Sequence, residues 1–265
     1  MKKRNRSRSV LACLLTLFML WSLAPAAFAT GEPEEDYVYI RSGESVTIND
    51  DVASEENWEP VISVTDYVNE WEPKDNKPAS LTVNGDVSQT VTESDRYANG
   101  VEVRAYGDGA EAEAVLNGDV DIVGSEYAGG TSVSGYDGGE AELSVSGDVS
   151  ANSSQNSNGA SAQSSENGEA ALVIAGDVTV TGDSDVSGVS GSSGSGGRTA
   201  VKVEGNVAAT STGDGADSDG WYRMPSTVAV SASEYNGGQT DVAIGGDVDA
   251  AGGHGNWCAF KCISK

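Results

Sequence analysis

The stretch SVSGDV, residues 144–149, decides the fold, because the chain returns to its pattern at a regular interval. VIAGDV follows at residues 173–178 and KVEGNV at residues 202–207, so each step is 29 residues. A constant period of this length is typical of proteins that stack one supersecondary unit on the next. The sequence therefore predicts a repeat architecture.

Seven units contain this pattern, and from the second unit onward their corner glycines are separated by 33, 29, 29, 29 and 41 residues. The units are VTINDDV (46–52), LTVNGDV (81–87), AVLNGDV (114–120), LSVSGDV (143–149), LVIAGDV (172–178), VKVEGNV (201–207) and VAIGGDV (242–248). A second segment recurs before the Gly-Asp-Val pattern, as GVEVRAYGDG (100–109), TSVSGYDGG (131–139) and TVAVSASEYNGG (227–238).

Apolar and polar residues alternate with period two in both segments, which indicates β-strands, and Gly and Asn interrupt the alternation where the chain must turn. One unit cannot bury its apolar face alone, whereas units stacked about 4.8 Å apart place Val on Val. We therefore predict an all-β fold, a parallel and right-handed β-solenoid (β-helix) of about seven rungs with three short strands each. The predicted inward residues are Leu81, Val83, Ala114, Leu116, Leu143, Val145, Leu172, Ile174, Val201, Val203, Val242, Ile244 and the valines at 87, 120, 149, 178, 207 and 248.

Composition agrees with a narrow interior. The chain has 34 glycines and only 3 phenylalanines among 265 residues, so it cannot build a thick globular core. Disorder is the competing interpretation of a Gly- and Ser-rich acidic chain. The regular spacing of the valines argues against disorder.

Residues 1–29 have the pattern of a secretory signal peptide: a basic start, an apolar run, and the small-residue cleavage signal Ala27-Phe28-Ala29. The alternative is an uncleaved membrane anchor. Cleavage predicts a secreted, extracellular protein, cell-surface associated or free, with no membrane insertion afterwards. It also leaves 10 basic against 41 acidic residues, a net charge of −31 in place of −26. Such a charge repels nucleic acid, which we exclude as a partner, and favours divalent cations as counterions.

The chain divides into four segments on this evidence. Residues 1–29 are the signal peptide, 30–78 hold the first rung and a cap, 79–250 are the repeats, and 251–265 are an atypical C-terminal tail. We place the cap at residues 53–78, which are rich in Pro, Trp and Glu, because the ends of a solenoid need protection.

The Gly-Asp-Val repeats resemble those of secreted bacterial surface proteins, and more broadly the β-helices of adhesins and autotransporter passengers. The resemblance covers about residues 40–250 and depends on the style of the repeat. It implies an adhesive or scaffold role outside the cell. The chain departs from that pattern in lacking a sorting signal or wall-binding module, so the mode of attachment stays open.

The aspartates of the Gly-Asp-Val pattern are expected to lie at one corner of each rung and so to form a column along the rod. We considered two roles for this column. Either each carboxylate binds backbone N–H groups of the turn, or the carboxylates share Ca²⁺. We favour the first role, because the uncharged Asn206 occupies one corner. If a calcium site exists, we expect it in the loop at Asp214, Asp217 and Asp219. No other cofactor is expected.

Aromatic side chains suggest a carbohydrate surface. Tyr106, Tyr136 and Tyr235 recur at one place in the repeat, and the loop at 208–226 displays Trp221 and Tyr222. Aromatic rings contact sugar faces through their apolar surface. The alternative is that the tyrosines pack over the edge of the rod, since the fifth unit has Ser165 at that place.

Enzyme signals are weak, and we predict no catalytic residues. The chain has a single histidine, His254. A polysaccharide lyase would need a basic residue beside clustered acids, for which Arg104, Arg198 and Lys202 are the mid-rod candidates. The leading hypothesis is a non-catalytic extracellular solenoid for adhesion or scaffolding, with a glycan or a cell-surface component as partner. The alternative is an acidic carbohydrate-binding β-helix, with or without calcium dependence.

Overall fold

A computed structural model describes residues 37–55, 59–68, 77–93, 97–213 and 226–252, together with the backbone of 256–264. The predicted signal peptide lies outside these residues. The described chain consists of strands, turns and bends. It contains no helix of the length and hydropathy needed to cross a membrane.

The strands, numbered β1 to β22 in chain order, form three sheets within the described residues. Sheet A contains β1 (Val38–Arg41), β4 (Pro60–Tyr67), β7 (Tyr97–Tyr106), β10 (Tyr127–Tyr136), β13 (Asn156–Ser165), β16 (Val186–Ser193), β19 (Ser226–Glu234) and β22 (Asn256–Ser264). Sheet B contains β2 (Ser45–Ile48), β5 (Ala79–Val83), β8 (Glu111–Leu116), β11 (Glu140–Val145), β14 (Glu169–Ile174), β17 (Arg198–Val203) and β20 (Gln239–Ile244). Sheet C contains β3 (Val52–Ser54), β6 (Val87–Thr90), β9 (Val120–Gly124), β12 (Val149–Ser153), β15 (Val178–Gly182), β18 (Val207–Ser211) and β21 (Val248–Gly252).

Each strand pairs in parallel with the strand three positions further along the chain. Three consecutive strands, one from each of the sheets A, B and C, therefore make one rung. Val145, for example, lies between Leu116 of the preceding rung and Ile174 of the following one. Seven rungs, β1–β3 to β19–β21, stack in this way. The predicted parallel β-solenoid is confirmed.

The core is a column of small and branched apolar side chains. All the predicted inward residues of rungs two to six are buried, and Leu143 and Val145 have no exposed surface. In the seventh rung Val242, Ile244 and Val248 are only half-buried. They are half-buried because β20 and β21 are the last strands of their sheets in the described part of the chain.

Both predicted end segments contain regular strands within the described residues. Residues 60–67 form β4, which pairs with β1 on one side and β7 on the other, and Ile62 and Val64 are fully buried. Residues 256–264 form β22, which pairs with β19. The apolar residues of PVISVTDY therefore belong to the core of the rod. The roles of 53–78 as a cap and of 251–265 as an atypical tail stay predictions.

The turn from sheet A to sheet B explains the Gly-rich end of each repeat. In rung four Asp137 has φ 54° and Gly138 has φ 83°, and the N–H of Gly139 donates to the carbonyl of Tyr136 at 2.9 Å. Two successive left-handed residues are the mark of a type I′ turn, which favours Gly and Asn. The same turn holds Asn236 and Gly237 in rung seven.

Candidate functional site

The strands of sheet A bend inward at their middle, which makes the outer surface of this sheet concave. In β7 the neighbouring residues Gly100 and Val101 are both buried, and the pattern recurs in β10, β13, β16 and β19. Strict alternation would place one of the two outside. Two successive inward residues therefore mark an elbow that points into the rod.

A glycine occupies the elbow in β7, β10, β13 and β16, where the interior is thin, whereas β4 has Val61 and β19 has Ala229 at this position. A β-carbon on Gly130 would lie 2.7 Å from Cγ1 of Val149, the valine of the Gly-Asp-Val corner, and would also overlap the carbonyl of Gly159. The elbow of sheet A thus rests directly on the corner between sheets B and C. The sequence signal for this feature is the glycine that recurs one residue before the inward position, in NGVEV, GGTSV and NGASA.

We call the concave outer surface of sheet A the elbow groove. It contains two adjoining depressions of about 410 Å³ and 450 Å³, both lined by Tyr127 and Asn158. The first extends towards β4 and the second towards β19. The elbow groove therefore runs across successive rungs, along the axis of the rod.

The floor of the elbow groove is polar and carries almost no charge. Strands β10, β13 and β16 contain no Asp, Glu, Lys or Arg, and their outward side chains are chiefly Ser, Asn and Gln. In the same rungs sheet B presents Glu140, Glu142 and Glu169. Sheet C is also uncharged in β12, β15 and β18, so the charged strands of these rungs are those of sheet B. The charged residues that line the two depressions lie outside β10, β13 and β16: Glu59, Glu102, Arg104 and Asp185.

A row of tyrosines borders the groove at the C-terminal ends of the sheet A strands. The ring centroids of Tyr67 and Tyr106 are 6.2 Å apart, and those of Tyr106 and Tyr136 are 5.1 Å apart with the rings stacked. Tyr106 therefore packs against a ring on each side. Tyr136 has a ring on one side only, because Ser165 occupies its register position in the next rung.

The other predicted aromatic residues do not extend this row within the described structure. Tyr235 follows β19, two rungs beyond Ser165, with 40% of its surface exposed. Trp221 and Tyr222 lie outside the described residues. Among the described members of the predicted set, the structure brings Tyr106 and Tyr136 together and leaves Tyr235 apart.

A second pair of tyrosines borders the opposite side of the groove, and sequence reasoning missed it. Tyr97 and Tyr127 begin β7 and β10, and their ring centroids are 5.9 Å apart. Burial raises the pKa of Tyr127, and a hydrogen bond with the side chain of Asn158 partly offsets this. The sequence does contain a signal for this pair, because the segments that form β7 and β10 both start and end with tyrosine.

The corner acids form a hydrogen-bonded ladder along the rod. Oδ1 of Asp148 accepts the backbone N–H of Asp177 at 2.8 Å, and Oδ1 of Asp119 accepts that of Asp148 at the same distance. Asn206 takes the same part, accepting the N–H of Asp247 at 2.8 Å. Each side chain thus binds backbone N–H, as we favoured, but the N–H belongs to the next rung.

No group of three acidic, Cys or His side chains is placed to hold a metal ion in the part of the chain that the structure describes. The predicted calcium loop with Asp214, Asp217 and Asp219 lies outside these residues, as do the side chains of Cys258 and Cys262.

The ladder predicts a difference between two substitutions of Asp148. Asp148→Ala removes the acceptor of the Asp177 N–H and should lower the free energy of unfolding by about 1–2 kcal/mol. Asp148→Asn keeps an acceptor oxygen, as Asn206 does naturally, and should change it by less than about 0.5 kcal/mol. Urea unfolding of both variants checks this. Equal losses in the two would contradict a hydrogen-bonding role.

Sheet B carries a column of glutamates on its outer face. Glu111, Glu140 and Glu169 are neighbours in successive rungs, and Glu142 lies beside Glu113. Burial raises the pKa of Glu142 to about 7, and the charges of Glu113 and Glu140 add to this effect. Burial and nearby carboxylates also raise the pKa of Glu113 and Glu140.

The raised pKa of Glu142 predicts that protonation stabilises the rod. The folded state holds this proton up to about pH 7, whereas the unfolded chain releases it near 4.5. The stabilisation is therefore complete below about pH 4.5 and is lost as the pH rises through about 7. Glu142→Gln, which removes the charge, should add about 1–2 kcal/mol to the free energy of unfolding at about pH 8, allowing for solvent screening, and nothing at about pH 4.

Melting of wild type and Glu142→Gln at these two pH values is the measurement. Glu55→Gln is the matched control, because Glu55 is exposed and lies outside the column. A gain at pH 8 that equals the gain in the control would contradict the raised pKa.

Of the three basic candidates for lyase chemistry, the structure places one at the elbow groove. Arg104 lies in its lining and is ion-paired with Glu102. Arg198 and Lys202 lie in β17 of sheet B, where Arg198 is 3.9 Å from Glu169 and Lys202 is paired with Glu204.

Comparison with protein families, with curated proteins and with solved structures gives no match. The functional argument therefore depends on the geometry of the rod.

Proposed function

We propose that this chain is a non-catalytic extracellular β-solenoid that acts in adhesion or as a surface scaffold, and that the elbow groove is its contact surface. One observation supports the proposal above others: the groove is concave, is bordered by tyrosines on both sides, and has a polar floor with no charged residue in β10, β13 and β16. A long rigid rod presents such a surface over several rungs at once.

The chemistry of the groove favours a glycan over a protein as the partner. Ser, Asn and Gln side chains both donate and accept hydrogen bonds, as sugar hydroxyls do. Tyrosine adds an apolar ring that contacts the C–H face of a sugar together with a polar hydroxyl group. Since Tyr106 has a ring on each side, the faces left for such contact are those of Tyr67, Tyr136 and Tyr127, each of which has one of these ring contacts.

A glycan array, read with calcium and with a chelator, tests the proposal. We expect binding to at least one polysaccharide in both conditions. Ser161→Trp, which places a large ring on the groove floor, should abolish the binding. Asn152→Trp is the control, because Asn152 is exposed on sheet C in the neighbouring strand of the chain.

Two results would contradict the proposal. Binding to no glycan at all would remove its basis, as would release of unsaturated sugar products, which would indicate a lyase. Binding that disappears with the chelator would instead favour a calcium-dependent site outside the groove.

A further inference from the structure

We propose that the ligand of the elbow groove is an uncharged, linear polysaccharide that lies along the axis of the rod across β10, β13 and β16. This inference depends on the proposed function and deepens it, because it names the class of glycan and its direction. Three features of the groove carry it: its charge, its repeat and one unused acceptor.

The charge of the groove selects against anionic polymers. Three successive strands of its floor have no charged residue, and the glutamate column lies on sheet B of the same rungs. The guanidinium of Arg104, at one end of the groove, is already paired with Glu102. A uronate or sulfate polymer would therefore meet the repulsion of an acidic rod with no free cation on the groove floor to offset it.

The repeat of the groove suits a linear polymer with a short repeat of its own. Ser132, Ser161 and Ser190 are neighbours in register, so the same hydroxyl returns at each rung, about 4.8 Å further along. Ser134, Gln163 and Ser192 form a parallel row beside them. A polymer that crossed the groove along the strands would meet only one member of each row.

Asn158 supplies an acceptor that the rod itself does not use. Its Oδ1 is buried and, among the described residues, has no hydrogen-bond partner, while its side chain is hydrogen-bonded to Tyr127. Buried polar atoms without partners are rare, because each loses its hydration without compensation. Asn158 lines both depressions, so a small rotation of its amide presents Oδ1 to a sugar hydroxyl in the groove.

Isothermal titration of the full chain with oligosaccharides tests the inference. The probes are cello- and manno-oligosaccharides from disaccharide to octasaccharide, and oligogalacturonates of the same lengths. We expect one neutral series to bind, to tighten with length over the first several sugars, and then to level off. The oligogalacturonates should bind at least tenfold more weakly at low salt, and this gap should narrow as salt is added.

Two matched variants locate the contact. Asn158→Ser removes the acceptor and introduces the residue found at the same register position in the next rung, Ser187, so the fold should be kept. It should weaken binding at least fivefold. Asn152→Ser, the same change on sheet C, should leave binding unchanged.

Each contrary outcome has a definite meaning. Equal or tighter binding of the galacturonates overturns the uncharged ligand, and affinity that does not depend on length overturns the axial direction. Equal effects of Asn158→Ser and Asn152→Ser place the ligand elsewhere. If the glycan array is positive and these titrations fail, the proposed function stands without this inference; if the array is negative, both fall.

Discussion

Val145→Asp is expected to lower the free energy of unfolding by more than about 4 kcal/mol and to prevent the middle rungs from folding under ordinary conditions. Val145 has no exposed surface, and it lies between Leu116 and Ile174 in a column of apolar side chains. A carboxylate there would lose its hydration with no cation or N–H donor provided in exchange. Circular dichroism and thermal melting measure the loss.

Ser146→Asp is the control for this substitution. Ser146 is the next residue along the chain, and its side chain is exposed at the corner after β11. It receives the same charge in water, so the change in stability should stay within about 0.5 kcal/mol. Wild-type melting of Val145→Asp would show that the inward assignment is wrong.

Gly147→Ala is expected to be the second most damaging change, at about 3 kcal/mol. A β-carbon on Gly147 would lie 2.5 Å from the carbonyl oxygen of Gly118 and would also overlap Oδ1 of Asp119. Oδ1 of Asp119 belongs to the ladder, so it cannot move without breaking its hydrogen bond from the N–H of Asp148, and the Gly118 carbonyl is part of the backbone. The cost is steric, because the φ of Gly147 is not positive and an alanine can adopt it.

Ser146→Ala is the matched control, because Ser146 is the exposed neighbour of Gly147 at the same corner. It should melt like wild type. Urea unfolding of both variants is the measurement. If Gly147→Ala were as stable as Ser146→Ala, the rungs would have to be further apart at the corner than the structure places them.

The stability of each rung in this rod depends mainly on the neighbouring rungs, which affects the shape of the unfolding transition expected for these variants. Each rung contacts mainly its neighbours, as in other repeat proteins, so damage at one rung separates two partly stable arrays. Gly147→Ala should therefore broaden the unfolding transition as well as lower its midpoint.

Sequence reasoning predicted the strands and the core well and the candidate site only in part. Leu143 and Val145 were identified as inward because alternation with period two is visible in LSV, and the rung spacing followed from the repeat of Gly147 and Gly176. The tyrosines of β7 and β10 were seen only at one end of each strand. The strand at 60–67 was missed within the predicted cap at 53–78, because composition was given more weight than the apolar residues of PVISVTDY.

The sequence by itself determined the period, the three strands of each rung and the inward residues of sheets B and C. These properties are local: they depend on alternation along one strand and on recurrence along the chain. Only the tertiary structure decided that Gly130 packs on Val149 and that the outer face of sheet A is therefore concave. It also decided that the carboxylate of Asp148 accepts a hydrogen bond from the N–H of Asp177 in the next rung. Each of these depends on which atoms meet across the interior or between rungs, and pairs of residues that are 19 or 29 positions apart carry no mark of that contact in the sequence.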